Sequence, residues 1–280
     1  MAGRLFRTHA ATDIGADFGS VGGEAIEMKF NIDRAQLLKP DAILFDTDNT
    51  LYAYAPAHEA AQNAVRDKVM ANFKISAAVI DEVYIRARKD VKDRLDQTAA
   101  SHSRLLYFQR MLELLGLGSQ VLHGLDLEQT YWRTFLRTAV LFEHVTELLD
   151  DVRLLGIPTA IVTDLTAQIQ FRKMVYFGLD DMFDYIVTSE ESGADKPQPA
   201  SFELAIEKLR LVEPNVWMVG DNPVADIKGS RDTISATTFH RVDSRSELSR
   251  EDAAASDVVF YDFGHLRDVL ASVCGAHRPD

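Results

Sequence analysis

The stretch Asp41-Ala42-Ile43-Leu44-Phe45-Asp46-Thr47-Asp48-Asn49-Thr50-Leu51 decides how the rest of the chain is read. Ala42 to Phe45 is a short, wholly apolar run between Pro40 and a polar cluster. Such a run predicts a strand buried on both faces, as in a parallel sheet. Asp46 and Asp48 follow where the strand ends, on one side of the backbone because strand side chains alternate. Ligands of open parallel sheets bind beyond the carboxyl ends of the strands. Two carboxylates this close repel, so the site calls for a cation or a shared proton. A hard divalent ion such as Mg²⁺ suits oxygen ligands. A lone Asp-x-Asp is more often an acidic turn, here with Asn49 as turn former. The remaining sequence must therefore decide.

Downstream of Leu51 the pattern is helical as far as about Leu141. Ala61, Val65, Val69 and Phe73 recur at helical spacing, as do Ile80, Tyr84, Ala87 and Val91. Leu105 to Leu115 and Leu127 to Leu136 add two further amphipathic segments, whose aromatic and Met residues predict a bundle core. Beyond Val140, apolar runs alternate with helical patterns. The runs are Pro158–Val162, Tyr185–Val187, Val216–Val219, Ile234–Phe239 and Val258–Tyr261. Helices are expected at Val145–Leu155, Ile169–Phe177, Ala200–Leu211, Ala225–Arg231 and Leu266–Val273. Strands alternating with helices predict βαβ units and a parallel sheet. The fold class is α/β, a Rossmann-like parallel-sheet core with an inserted all-helical cap domain. The expected division is an N-terminal extension at 1–39, a core domain at 40–54 and 142–280, and a cap at 55–141. Within the extension, Phe30 to Leu38 is expected to form a short amphipathic helix stopped before Pro40.

The 280 residues carry a net charge of -13, which argues against nucleic-acid polymers and anionic membranes as partners. A single cysteine, Cys274, excludes an internal disulfide and a cysteine-rich metal site. No apolar run is long enough to span a membrane. Met1 to Gly23 lacks the apolar centre of a secretory signal, so a cytoplasmic location is expected. The chain is expected to be a monomer or a homodimer.

Several polar residues fall at or just beyond the ends of apolar runs: Asp46 and Asp48, Thr163, Lys196, and Asp221 with Asp226. Singly, Thr163 reads as a strand-end cap, Lys196 as a loop lysine and Asp221 as a helix cap. Together they supply a nucleophile, an acid, a hydroxyl, an ammonium and metal ligands, which suits phosphoryl transfer. Four motifs in order now resemble those of the haloacid dehalogenase superfamily, in its phosphatase branch. They are Asp46-Thr47-Asp48-Asn49-Thr50, Thr163, Lys196-Pro197, and Gly220-Asp221-Asn222-Pro223-Val224-Ala225-Asp226.

The resemblance implies a Mg²⁺-dependent phosphomonoester hydrolase acting on a small-molecule phosphate ester, such as a nucleotide or sugar phosphate. It implies Asp46 as nucleophile forming an aspartyl-phosphate, and Asp48 as the acid and then the base. Asp46, the backbone carbonyl of Asp48, and Asp221 would hold Mg²⁺, with Asp226 behind them. Thr163 and the amide of Asp164 would bind phosphate, and Lys196 would neutralise charge. Asp164-Leu165-Thr166 departs from the Asn or Gly-rich sequence many relatives carry after the second motif. In the cap, Ser101 or Ser103 is expected to cap a helix, with His102 or Arg104 facing the leaving group. Asp48 disfavours a dehalogenase, which has no leaving alkoxide to protonate. A phosphonate hydrolase would need a Schiff-base lysine, whereas Lys68, Lys74, Lys89 and Lys92 read as solvated helix charges. A phosphomutase shares the motifs, and an inactive partner protein of the same fold is the non-enzymatic alternative.

Overall fold

A computed structural model of the chain describes residues 28–243 and 255–275. Strand β1 (Lys29–Phe30) precedes β2 (Ala42–Phe45). Four helices follow: α1 (Tyr54–Phe73), α2 (Ala77–Leu95), α3 (Arg104–Leu114) and α4 (Val121–Thr138). The chain then alternates through α5 (Val145–Leu154), β3 (Thr159–Thr163), α6 (Ala167–Phe177), β4 (Tyr185–Thr188), α7 (Ser189–Ser192) and α8 (Ala200–Leu209). It closes with β5 (Val216–Gly220), a wide π-type turn (Pro223–Lys228), α9 (Gly229–Ile234), β6 (Thr237–Arg241), β7 (Val258–Phe260) and α10 (Phe263–Cys274).

The strands form one sheet in the order β1-β7-β6-β5-β2-β3-β4. All pairings are parallel except β1 with β7. Every residue of β2, β3 and β5 is buried, which explains their unbroken apolar runs. Their side chains divide between two layers. Ile43 and Phe45 join the larger core with α5 and α10, while Leu44 faces Phe202 and Ala205 of α8. The central position of β2, between β3 and β5, puts Asp46 beside the ends of both neighbours.

The four helices between β2 and β3 pack as a bundle, α1 on α4 and α2 on α3. Ala57, Ala61, Val65 and Val69 make the buried stripe of α1, and Tyr131, Trp132 and Phe135 that of α4. The two connections to the sheet are tied together. Tyr52 bridges to Leu141, and Phe142 N–H donates to the Leu51 carbonyl at 2.9 Å.

Three local expectations change. Phe30 to Leu38 is not one helix: Phe30 pairs with Val258, and only Arg34–Gln36 makes a 3₁₀ turn, capped by Asp33. Residues 29–30 of the expected extension therefore belong to the sheet, while residues 1–27 lie outside the described residues. The helix expected over Ala225–Arg231 is a π-type turn followed by α9. Ile234 ends α9, Ser235 takes a left-handed backbone conformation, and β6 starts only at Thr237.

Candidate active site

The sheet holds Asp46 by its backbone, whose N–H donates to the Val219 carbonyl at 2.9 Å. Its carboxylate accepts from Lys196 Nζ at 2.7 Å and from Thr50 Oγ1 at 2.9 Å. The same ammonium donates to Asp226 Oδ1 at 2.6 Å and to the Val162 carbonyl at 2.9 Å. Lys196 thus ties together the ends of β2, β3 and the turn after β5. Both Asp46 and Lys196 are buried, so these charge-assisted bonds are little screened by solvent.

Asp226 reaches this point because the π-type turn folds back onto β5. A Cβ placed on Gly220 would lie 2.4 Å from that of Asp226, so only glycine permits the approach. Asn222 caps the turn, and its own N–H donates to Asp226 Oδ2 at 2.9 Å. Asp221 stands beside them, its carbonyl accepting from His240 Nε2 at 2.8 Å.

Asp46, Asp221 and Asp226 each offer an oxygen within 4.8 Å of the others. Burial raises the Asp221 carboxyl to about 8, and the charges of Asp46 and Asp226 add to the effect. Burial likewise raises Asp46 to about 6, against the pull of Lys196. One ammonium serves three carboxylates here, so the group lacks positive charge. A hard divalent cation with oxygen ligands fits that deficit. The Asp48 carboxylate is not part of this group.

Asp48 turns instead to a residue that sequence reading missed. Its Oδ1 accepts from Lys173 Nζ at 2.6 Å and from the Tyr52 hydroxyl. Burial pushes the Asp48 carboxyl up, but the Lys173 charge and both hydrogen bonds outweigh it and hold the group below the usual carboxylate range. Lys173 is fully buried, with the rings of Tyr52, Trp132 and Phe135 within 5.9 Å. Trp132 and Phe135 belong to α4, so the bundle packs against the partner of Asp48. The available signal was the register of α6. Gln170 and Lys173 share the inward face with Ile169 and Met174, two polar residues in an apolar stripe.

Thr163 lies buried at the end of β3, and its hydroxyl is engaged twice. It shares a hydrogen bond with Thr47 Oγ1 at 2.8 Å and accepts from Gln170 Nε2 at 2.8 Å. Asp164 takes a side-chain role as well: its Oδ1 accepts from Lys196 N–H at 2.9 Å, fixing the loop that delivers the lysine. Burial raises its carboxyl despite the nearby Lys196 charge. Leu165 has φ 139°, a region that favours glycine, so the departure from Gly-rich sequence here carries backbone strain.

On the bundle side, Ser103 caps α3 by accepting from Leu106 N–H, whereas Ser101 is buried in the preceding turn. His102 Nε2 sits 2.9 Å from Asp195 Oδ2, linking the insert to the loop before Lys196. Arg104 is buried and donates to the His102 carbonyl at 2.6 Å and to the Tyr54 hydroxyl. Lys68 pairs with Asp126 and Lys89 with Asp93, and Lys74 donates to the Ala71 carbonyl. Lys92 differs from the solvated charge expected: it is half-buried and lines a cavity of about 680 Å³. Asp48 and Asp164 border that cavity from the sheet side, and His102 and Arg104 from the bundle side.

Comparison with known proteins agrees with this architecture. The sequence pattern of haloacid dehalogenase-like hydrolases matches residues 40–232. A ribulose-1,5-bisphosphate 5-phosphatase of Halopiger xanaduensis is 37% identical over 190 residues, 68% of this chain and 80% of that protein. A glyceraldehyde 3-phosphate phosphatase of Methanopyrus kandleri is 27% identical over 190 residues, 68% and 78% of the two chains. Among solved structures, a phosphatase of the same superfamily from Thermococcus onnurineus superposes with a TM-score of 0.62. It shares 24% identity, and the match covers 82% of this chain and 97% of that one, a likeness of fold.

Proposed function

The chain belongs to the haloacid dehalogenase-like hydrolase family, in its phosphatase branch, and we propose on that premise that it hydrolyses a small phosphorylated metabolite through an aspartyl-phosphate on Asp46. The observation that carries the reading is the Lys196 ammonium, held between Asp46 at 2.7 Å and Asp226 at 2.6 Å. A buried lysine in that position orients one carboxylate and offsets charge on an incoming phosphoryl group. Folding alone does not call for two buried carboxylates on one lysine with a third, Asp221, beside them.

In the first step Asp48, ionised in the free protein, takes the proton of the bound phosphate monoanion; an Asp46 oxygen then attacks phosphorus, the bond to the leaving oxygen breaks, and Asp48 passes that proton to it. In the second step Asp48 takes a proton from water as the water attacks phosphorus, and Asp46 leaves as a carboxylate. Such acid–base assistance contributes roughly 10²–10⁴-fold. Lys196 and the Asp164 backbone N–H face the phosphoryl oxygens, and Thr163 acts through Thr47 and Gln170 to shape the floor. Mg²⁺, held by Asp46 and Asp221 with Asp226 alongside and the Asp48 carbonyl as a further ligand, would supply Lewis-acid neutralisation of the transferring charge. The bundle at 55–141 serves as a cap domain that excludes water and selects the substrate.

The named activities of the two relatives support a phosphorylated sugar over a nucleotide as substrate. The test is phosphate release over a panel of sugar phosphates and nucleotides with Mg²⁺, with Asp46→Asn as control. Turnover is expected on sugar phosphates and a loss of at least about 10³-fold in the variant. An Asp46→Asn protein that retains turnover would remove the nucleophile from the scheme.

A further inference from the structure

The inner face of the bundle carries a cluster of like charge. Arg88 and Lys92 stand one turn apart on α2, and Arg104 heads α3. All three line the cavity of about 680 Å³ that Asp48 and Asp164 border from the sheet. Several other cations of the bundle are neutralised: Arg66 by Asp81 at 3.0 Å, Lys68 by Asp126 at 2.5 Å and Arg110 by Asp90 at 2.8 Å. Among the described residues, Arg88, Lys92 and Arg104 form no ion pair with a carboxylate. That is unexpected in a chain with a net charge of -13, which has acidic residues to spare.

Arg104 is only 9% exposed, yet its Nε has no hydrogen-bond partner. Burial and the charges of Arg88 and Arg104 push the Lys92 ammonium down, and Asp195 and Asp164 pull the other way without touching it. Burial and the same two arginines lower His58, on the wall of this cavity, to about 4, so it is neutral at neutral pH and the positive charge of the cavity rests on Arg88, Lys92 and Arg104. Lys92 and Arg104 are partly desolvated like charges with the exposed Arg88 beside them, an arrangement that is unfavourable until an anion enters. The volume exceeds what one phosphate needs and suits a ligand of several carbons.

We propose that this face of the bundle is a subsite for a second anionic group, so that the substrate is a small phosphate ester carrying another phosphate or a carboxylate at its far end. The assignment rests on the reaction proposed above. The scissile phosphate goes to Asp46 and Lys196, and the remote anion goes to Arg88, Lys92 and Arg104. Such contacts act on binding, so their effect falls mainly on KM.

Two matched pairs of substrates test it with the full chain and Mg²⁺: ribulose 1,5-bisphosphate against ribulose 5-phosphate, and 3-phosphoglycerate against glycerol 3-phosphate. The wild-type protein is expected to favour the doubly anionic member of at least one pair by about tenfold or more in kcat/KM. Whichever pair shows the preference identifies the remote group as phosphate or carboxylate. In Arg88→Gln/Lys92→Gln, two substitutions outside the packed core, the ratio is expected to collapse towards one. Turnover of p-nitrophenyl phosphate by the wild-type protein reports separately on the reaction. Turnover without preference in either pair overturns the subsite alone, and so does a preference that survives in the double variant. No turnover of any phosphate ester overturns the reaction as well.

Discussion

Lys173 is fully buried and spends its charge on one residue, Asp48, at 2.6 Å. The Tyr52 hydroxyl meets the same oxygen, so the carboxylate is aimed from two sides. A group that must deliver a proton to a leaving oxygen benefits from a fixed direction. Lys173 is thus a positioning residue in the proposed reaction, acting through Asp48. Lys173→Met keeps the volume of the stem and removes the charge. It is expected to lower kcat about 10–100-fold on alkyl phosphates, a part of the acid–base contribution. The loss should be much smaller on p-nitrophenyl phosphate, whose leaving group needs little protonation. Steady-state kinetics on both esters check this. Equal losses on the two would mean that Lys173 only supports the fold.

At the scale of an element, the turn after β5 does the most exacting work. It returns Asp226 over Gly220 so that its carboxylate meets the same Lys196 ammonium as Asp46. Gly220→Ala puts a methyl group 2.4 Å from the Asp226 Cβ, so either β5 or the turn must shift. Such overpacking costs about 1–3 kcal/mol. The expected result is a free energy of unfolding lower by that amount, with a correspondingly lower denaturation midpoint, and at least a tenfold lower kcat, read by urea titration and phosphate release. An unaltered midpoint and rate would show that Asp226 can retreat without consequence. This element also marks where sequence reading stopped. The strand of β5 and the Gly-Asp motif were legible because a buried strand and a turn have local signatures. The break between the π-type turn and α9 was not, because at Gly229 there is little room for a side chain: a Cβ there would lie 3.0 Å from Phe202 and Pro197, more than twenty residues away in the chain. The same limit applies to Lys173, Gln170 and Lys92. Their helices were legible from apolar spacing, but that spacing ignores polar residues on the inward face, and their partners lie on other elements. Ser103, by contrast, was readable as a cap because its bond to Leu106 N–H is three residues long.

For the molecule as a whole, the acidic cluster makes stability depend on pH and on divalent cations together. The folded-state values of Asp46 and Asp221 lie at about 6 and about 8, above the ordinary carboxylate value of 3.8. Between those limits the native protein holds protons that the unfolded chain has released. Stability with respect to these two groups is therefore highest below the unfolded value and falls as pH rises through the folded values. With chelator present, the melting temperature is expected to drop between about pH 5 and about pH 8. A divalent cation competes with protons for the same oxygens, so Mg²⁺ should raise Tm more at the upper pH than at the lower. At roughly 100-fold excess over its Kd the ion contributes about 2.7 kcal/mol, which is about 5–10 °C for a chain of this size. Asp221→Asn removes the group with the larger upward shift, so its chelated form should melt with a weaker pH dependence and gain little from Mg²⁺. Thermal scans at both pH values, with and without Mg²⁺, measure all of this without a substrate. If Asp221→Asn gained as much from Mg²⁺ as the unsubstituted chain, the ion would be binding elsewhere.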